Sequence, residues 1–305
     1  MEKISMAYSR PILAIILSTF VLTSQAQVIK VDSLTHWRKA FAAGLNLNQS
    51  SFSSNWKAGG VNSFGFNAYL NYKANYKNDK NAWDNEIDVL YGMVNNAGLG
   101  NRKTIDRIFL DTRYGRAINA KWDYSASTNF QSQFAPGRDY AILGEPLISD
   151  IFAPAYITAA FGVEYHPVSY FKMRLSPLAP RVTIVNDVNR FYDAVTNPTP
   201  YGVNPGESTR FQWWAFQLFA EFDKDIAKNF NLKCRYIMFM DYRTIELNRI
   251  DHRLDLKLTA KVNEFISVSF GGIAMYFHDQ DQDVQISQAL SLGVAYAFQN
   301  FADKK

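Results

Sequence analysis

The sequence predicts an all-β fold: a transmembrane antiparallel β-barrel of about twelve strands, preceded by a cleaved signal peptide. Three observations predict it. Apolar and polar residues alternate with a period of two through most of the chain. The connections between alternating segments switch between short and long. The chain also opens with a secretory leader.

The leader has three parts. Lys3 and Arg10 lie in the polar start, Pro11 to Leu22 is an apolar run, and Ser24-Gln25-Ala26 puts small residues at a cleavage site before Gln27. The run is shorter than the roughly 18 residues that an uncleaved anchor helix requires. The expected organisation is a signal peptide at 1–26, a periplasmic N-terminal segment at 27–36, an outer-membrane barrel at 37–300 and a C-terminal tail at 301–305. No cysteine follows the cleavage site to take a lipid. The single cysteine, Cys234, excludes an internal disulfide.

Alternating segments follow at about 37–50, 61–76, 82–94, 105–117, 121–134, 155–166, 171–185, 208–223, 229–241, 248–262, 265–277 and 286–299. In the second, Phe64, Phe66, Ala68, Leu70, Tyr72 and Tyr76 share one parity, while Asn67, Asn71, Lys73 and Asn75 share the other. Successive strand side chains point to opposite faces, so each segment has one apolar and one polar side. Pro177 and Pro180 interrupt the seventh, where parity shifts between Leu175 and Val182 and a bend or bulge is expected.

The connections 77–81, 118–120, 167–170, 224–228 and 263–264 are short, and 51–60, 95–104, 135–154, 186–207, 242–247 and 278–285 are longer. Short periplasmic turns and long extracellular loops have this pattern. A secreted β-sandwich also alternates but packs its apolar side inward. Against it stand aromatic residues near segment ends, including Trp83, Trp122, Trp213, Trp214 and Tyr296, and the many charges on the polar side.

Composition narrows the classes further. Charged residues make up 20% and aromatics 15%. The mean hydropathy of −0.20 speaks against a polytopic helical membrane protein. A formal charge of +4 is too small and too dispersed to support nucleic-acid binding, and no nucleic-acid partner is expected. The expected partners are outer-membrane lipid, the outer-membrane assembly machinery and subunits of an outer-membrane complex.

If the apolar parity meets lipid, the other parity forms a lumen with charges of both signs. The candidate ladder comprises Asp84, Glu86 and Asp88; Arg107, Asp111 and Arg113; Glu221; Lys233 and Arg235; and Asp251, Arg253, Asp255 and Lys257. Neighbouring strands are expected to pair opposite signs. A strongly selective pore would show a ring of one sign instead.

About twelve strands enclose more space than the eight that side chains fill, and less than a 16-stranded porin. A narrowing element is therefore expected. The candidates are loops 135–154 and 186–207 and the stretch Gln27 to Thr35. Phe134, Pro136, Gly137, Arg138 and Asp139 at one end, and Asp150, Phe152 and Pro154 at the other, bracket a loop that could constrict the mouth. In the last segment Ser291, Gly293, Tyr296 and Phe298 resemble the β-signal read by the outer-membrane assembly machinery.

No enzyme is expected, and no cofactor or metal. The four histidines, His36, His166, His252 and His278, show no spacing that pairs a base with a nucleophile. The run His278 to Asp283 alternates acidic residues but lacks the Gly and terminal Glu of a Ca²⁺ loop.

Several stretches carry a family resemblance. They include Ser54-Asn55-Trp56-Lys57-Ala58-Gly59-Gly60, Gln133-Phe134-Ala135-Pro136-Gly137, Ser149-Asp150-Ile151-Phe152-Ala153-Pro154-Ala155-Tyr156, Leu175-Ser176-Pro177-Leu178 and Thr183-Ile184-Val185-Asn186-Asp187. In these the chain resembles an uncharacterised family of Bacteroidetes outer-membrane β-barrels, a domain of unknown function. The resemblance implies fold and location and supplies no activity. The functional expectation is a passive or weakly selective pore for small solutes. A non-conducting structural or accessory subunit is the alternative, and a lipid- or lipopolysaccharide-modifying enzyme is a more distant one.

Overall fold

The computed structural model describes residues 36–53, 57, 60–194, 196–263 and 266–300. The signal peptide, the stretch Gln27 to Thr35, the tail and most of the 54–59 motif lie outside the described residues. Among the described residues no helix is long and apolar enough to cross a membrane.

The first five strands are β1 (Trp37–Ser50), β2 (Ser63–Lys77), β3 (Asn81–Asn96), β4 (Gly100–Ala117) and β5 (Trp122–Ser132). A small hairpin follows, β6 (Gly137–Arg138) with β7 (Leu147–Ser149). Next come β8 (Ala155–Val168), β9 (Phe171–Leu178), β10 (Arg181–Ile184), β11 (Thr209–Gln212) and β12 (Ala215–Ala227). The last four are β13 (Phe230–Asp241), β14 (Asp251–Lys261), β15 (Ile266–Tyr276) and β16 (Gln285–Gln299). Twelve of them close an antiparallel ring in the order β1, β2, β3, β4, β5, β8, β9, β12, β13, β14, β15 and β16, which returns to β1. β10 continues β9, and β11 leads into β12, so these two short strands lengthen the ring's seventh and eighth staves.

The alternation decides which way each strand faces. On β4 the side chains of Arg107, Phe109, Asp111 and Arg113 are buried, while Leu110 among them and Tyr114 just after them are exposed. On β3 Glu86 is buried, and Trp83 and Ile87 are exposed. A soluble sandwich would bury the apolar parity; here the polar parity is inside. An exposed apolar band around a closed ring is a surface for acyl chains. Aromatic clusters flank it. Trp37 packs against Tyr76 and Trp83 at 5.4 and 6.1 Å, and Trp122 against Tyr165 at 4.7 Å, beside the short turns. Phe211 and Trp213 stack at 5.4 Å on the side of the long loops.

The seventh stave bends where the prolines lie. Inward residues pass from Arg174 and Ser176 to Arg181 and Thr183, a one-position slip across Ala179-Pro180. The eighth stave slips too, from Gln212 to Ala215, which the alternation did not foretell. Both Trp213 and Trp214 consequently point out and are exposed.

The long loop expected at 95–104 is instead a strand hairpin. β3 and β4 pair as far as Asn96 and Gly100, and a tight turn follows at Gly98, whose φ of 84° suits glycine.

Outside the barrel, the segments 133–154 and 185–208 share a small apolar core of Ala153, Val185, Val188, Phe191 and Val203, with Leu147 and Tyr201 against it. Loop 186–207 thus holds two short 3₁₀ turns, at Val188–Arg190 and Pro200–Gly202.

Candidate functional site: a divided lumen

Ring position explains which charges meet. β3 and β13 are six strands apart whichever way the ring is followed, as are β4 and β14, and β2 and β12. Ion pairs join all three opposed couples. Glu86 on β3 accepts from Arg235 at 2.5 Å and Lys233 at 2.8 Å on β13. Arg107 on β4 donates to Asp255 on β14 at 2.7 Å and also pairs with Asp88. Lys73 on β2 faces Asp223 at 3.5 Å and Glu221 at 3.8 Å on β12. These contacts build a septum of side chains across the barrel's diameter.

The sequence reading expects opposite charges on neighbouring strands. The structure does bring Arg113 to Asp84 at 3.0 Å and Arg235 to Glu221 at 2.9 Å. Other neighbours are alike. Glu86 is directly opposite Asp111, and Lys233 opposite Lys257, which alone would be unfavourable. Partners from further round the ring resolve this. Arg174 on β9 holds Asp111 with two hydrogen bonds at 2.8 and 3.2 Å, and Lys257 sits 4.0 Å over the ring of Tyr69. Arg253 pairs with Asp255 at 2.9 Å, and Arg181 with Asp251 at 2.7 Å. A buried charge without such a partner would be costly, and some of the guanidinium groups also find an aromatic face. Arg235 lies 4.4 Å over Phe109, and Arg174 lies 3.8 Å over Phe219.

The septum separates two unlike halves. Along β5, β8, β9 and β12 the lumen is packed: Ser125, Ser127, Asn129, Thr158, Ala160 and Gln217 are all buried. Along β15, β16 and β1 many inward residues are small, among them Ser269, Gly271, Ala289, Ser291, Ala295 and Ala42; the Tyr69 ring fills the space over Gly44, and Ile273 and Met275 are the larger inward residues of β15. Ser287, Ala289 and Ala297 point inward yet are exposed. A methyl group built on Gly271 would meet nothing within 4 Å. Ser125 and Ser127 of β5 are 6% exposed, whereas the inward Ser287 is open to solvent. The same residue type is dry on one side of the septum and wet on the other. This second half is the open lobe.

The bracketed loop is pinned at both ends. Asp106 accepts from the backbone N–H of Phe134 at 2.9 Å and of Ala135 at 2.8 Å, and Lys103 pairs with it at 3.1 Å. Gln133 donates to the carbonyls of Asp150 and Ala153 at 2.9 and 2.7 Å. Gly137 pairs with Ser149 and Arg138 with Leu147, and Arg190 reaches Asp150 at 2.8 Å. Tyr201 donates to the Ile148 carbonyl, and burial pushes its phenol above the ordinary value. Pro136, Phe134 and Phe152 face outward and are exposed; Pro154 and Asp139 line a cavity of about 460 Å³ beneath the loop. This loop roofs the mouth. The narrowing at mid-barrel comes from the septum, not from loop 135–154 or 186–207, because the strands themselves carry side chains long enough to meet across the ring.

Ser291 and Gly293 point inward, and Tyr296 and Phe298 point outward opposite Ala43 and Phe41. At the other end of the barrel, Asp123, Glu164 and His166 converge. Arg113 already supplies positive charge there, at 2.6 Å from Asp123 and 3.1 Å from Glu164.

Lys73, Lys172, Arg174, Asp123 and Glu164 belong to the lumen network but are missing from the sequence-derived ladder. Parity alone would have included Lys73. Phe109 and Phe219 are aromatic residues on polar faces, and nothing in the alternation flags their role.

The closed ring, its apolar exterior and its charged interior define a transmembrane β-barrel of the outer-membrane type. A family model described as a protein of unknown function, DUF3078, matches residues 47–137. No curated protein matches the chain. Among solved structures, the COG4313 outer membrane channel from Pseudomonas putida F1 is similar at 10% identity and a TM-score of 0.38, covering 87% of this chain and 96% of that one. The translocator domain of the autotransporter NalP from Neisseria meningitidis is similar at 9% identity and a TM-score of 0.31, covering 88% and 91%. OmpT of Vibrio cholerae is similar at 8% identity and a TM-score of 0.28, covering 88% and 99%. These are bacterial outer-membrane barrels, and likenesses so distant carry no argument about what passes through this one.

Proposed function

We propose that the protein gives small hydrophilic solutes passive, weakly selective passage across the outer membrane through the open lobe. The supporting observation is the small-residue wall beside the septum, where Ser287, Ala289 and Ala297 of β16 are exposed and Gly271 of β15 faces open space. Charges of both signs border it, which favours weak selectivity. A Bacteroidetes source, implied by the sequence resemblance, and the absence of catalysis are part of the same proposal. Liposome swelling with sugars of graded size tests it. Swelling should fall off sharply with sugar size, and Ala289→Trp together with Gly271→Trp should slow it.

The septum favours a second reading, a non-conducting structural or accessory subunit, since opposed strands are tied across the lumen. No swelling with the smallest sugar, no bilayer conductance and a stoichiometric co-purifying subunit would select that reading.

A further inference from the structure

The ring closes by pairing its first and last strands, and that ladder is short. It runs from Ala40 opposite Gln299 to Asn46 opposite Gly293 and stops. Beyond it, among the described residues, Leu47 to Ser50 pair only with β2, and Gln285 to Leu292 only with β15. The β2–β3 ladder, by contrast, runs from Ser63 opposite Asn96 to Lys77 opposite Ala82. Two strand edges therefore flank a seam whose backbone groups do not pair across it. The last rung is tight: the place a side chain would take at Gly293 is filled by the Asn46 side chain and the Leu45 carbonyl.

The seam lies within the membrane. Gln299 sits at the inner aromatic cluster, where the next residue, Asn300, donates to the Trp37 carbonyl at 3.3 Å. Leu292 is seven residues along the strand from Gln299, and Gln288 eleven. A tilted strand crosses the hydrocarbon in roughly 9–11 residues, so 288–292 falls in its outer half. Leu290 and Leu292 point outward there, as contact with acyl chains requires.

Unpaired backbone is not tolerated against lipid; at membrane depth it persists only where it is buried in protein or lines a wet cavity. The open lobe lies directly behind this seam, with the exposed inward side chains of Ser287 and Ala289 at its edge. We propose that the β1–β16 seam is a lateral opening in the outer half of the membrane, through which a single-chain amphiphile passes between the open lobe and the bilayer. The chemistry fits both ends of such a molecule. Free backbone N–H and C=O groups and Ser291 take a polar head, while leucines outside take the chain. The free edge is four residues on β1, Leu47 to Ser50, and eight on β16, Gln285 to Leu292, so a strand from a second copy is the competing occupant that the test must separate. The inference rests on the open lobe but not on passage through to the periplasm.

The test closes the seam with a disulfide in the reconstituted full-length protein. Asn48→Cys and Ser291→Cys are the next inward rung of the β1–β16 register, and Cys234→Ala removes the native thiol. Dodecanoic acid bearing a terminal diazirine is photolysed with the reduced and the oxidised protein, and labelled residues are mapped by mass spectrometry. The same protein serves as its own folding control. Label on inward Ala289 should fall roughly tenfold on oxidation, as expected if the amphiphile enters by the seam. Equal labelling in both forms, or label confined to outward Leu290 and Leu292, would overturn the proposal. So would intermolecular disulfides at the substituted positions, which would show a second copy capping the edges. Sugar swelling measured on the same vesicles separates the two ideas. Its absence with seam-dependent labelling intact removes the through-passage and leaves the lateral opening.

Discussion

Replacing Glu86 by Gln removes the carboxylate on which Arg235 and Lys233 converge from the opposite wall. Breaking a buried ion pair on one side costs roughly 3–5 kcal/mol, because a charge is left without its partner. The lower end applies here. Lys233 keeps 20% of its side chain exposed and can rehydrate, and Arg235 retains Glu221 at 2.9 Å. Glu86→Gln should therefore destabilise the folded barrel by about 3 kcal/mol. Arg235→Gln should do more, since it strips partners from Glu86 and Glu221 together and removes the cation over Phe109. The double variant should recover about 2 kcal/mol relative to the sum of the singles, the signature of groups in direct contact. Urea unfolding in vesicles, followed by tryptophan fluorescence and by gel mobility without heating, measures all three. A loss below about 1 kcal/mol in each single variant, with strict additivity, would place these groups in bulk-like water. The septum would then not be a structural tie.

Four further outcomes follow from the same geometry. Deleting 139–146, the arc between β6 and β7, should raise single-channel conductance in planar bilayers, since the loop roofs the mouth. Asp106→Ala should release the backbone of Phe134 and Ala135 and speed proteolysis within 133–154 while leaving the barrel folded. Gly162→Ala should impair folding, as a methyl group there would collide with the β9 backbone at Leu175 and Ser176; the yield of the heat-modifiable form reports this. The Tyr201 phenol has its pKa raised by burial, so its contribution is fully present below the unfolded value of about 10 and is lost as pH rises past it. Loop protection against protease should accordingly fall above about pH 10, and Tyr201→Phe should remove that pH dependence.

The parts of the fold that read plainly in the sequence are those fixed by neighbours one and two positions away. β2, β3, β5 and β14 alternate without interruption, and their inward and outward faces follow directly. Pro177 and Pro180 announce the break in the seventh stave because proline lacks the N–H a ladder needs. The tandem tryptophans 213–214 announce nothing, since a bulge there needs no special residue. The septum was illegible for a different reason. Whether Glu86 meets Arg235 depends on how many strands close the ring and on their stagger, and neither quantity resides in one segment. Nothing in the local pattern marks Asp106; its role as an anchor for two backbone amides 28 and 29 residues away arises only once the loop has folded back. The seam at Gly293 depends on register between the first and last strands, the longest-range pairing in the ring.

The two slips in the seventh and eighth staves lie side by side. Ala179 donates to the Ala215 carbonyl at 2.8 Å, joining the two irregularities in one place. Each alone would turn the remainder of its stave inside out, presenting guanidinium to lipid and valine to water. Occurring together, they shift both staves in phase, so Arg181 and Gln212 still look inward. Insertions or deletions at this spot are therefore tolerated in matched couples or not at all. A family tree of such chains should show length changes near 179 and near 213 arising jointly.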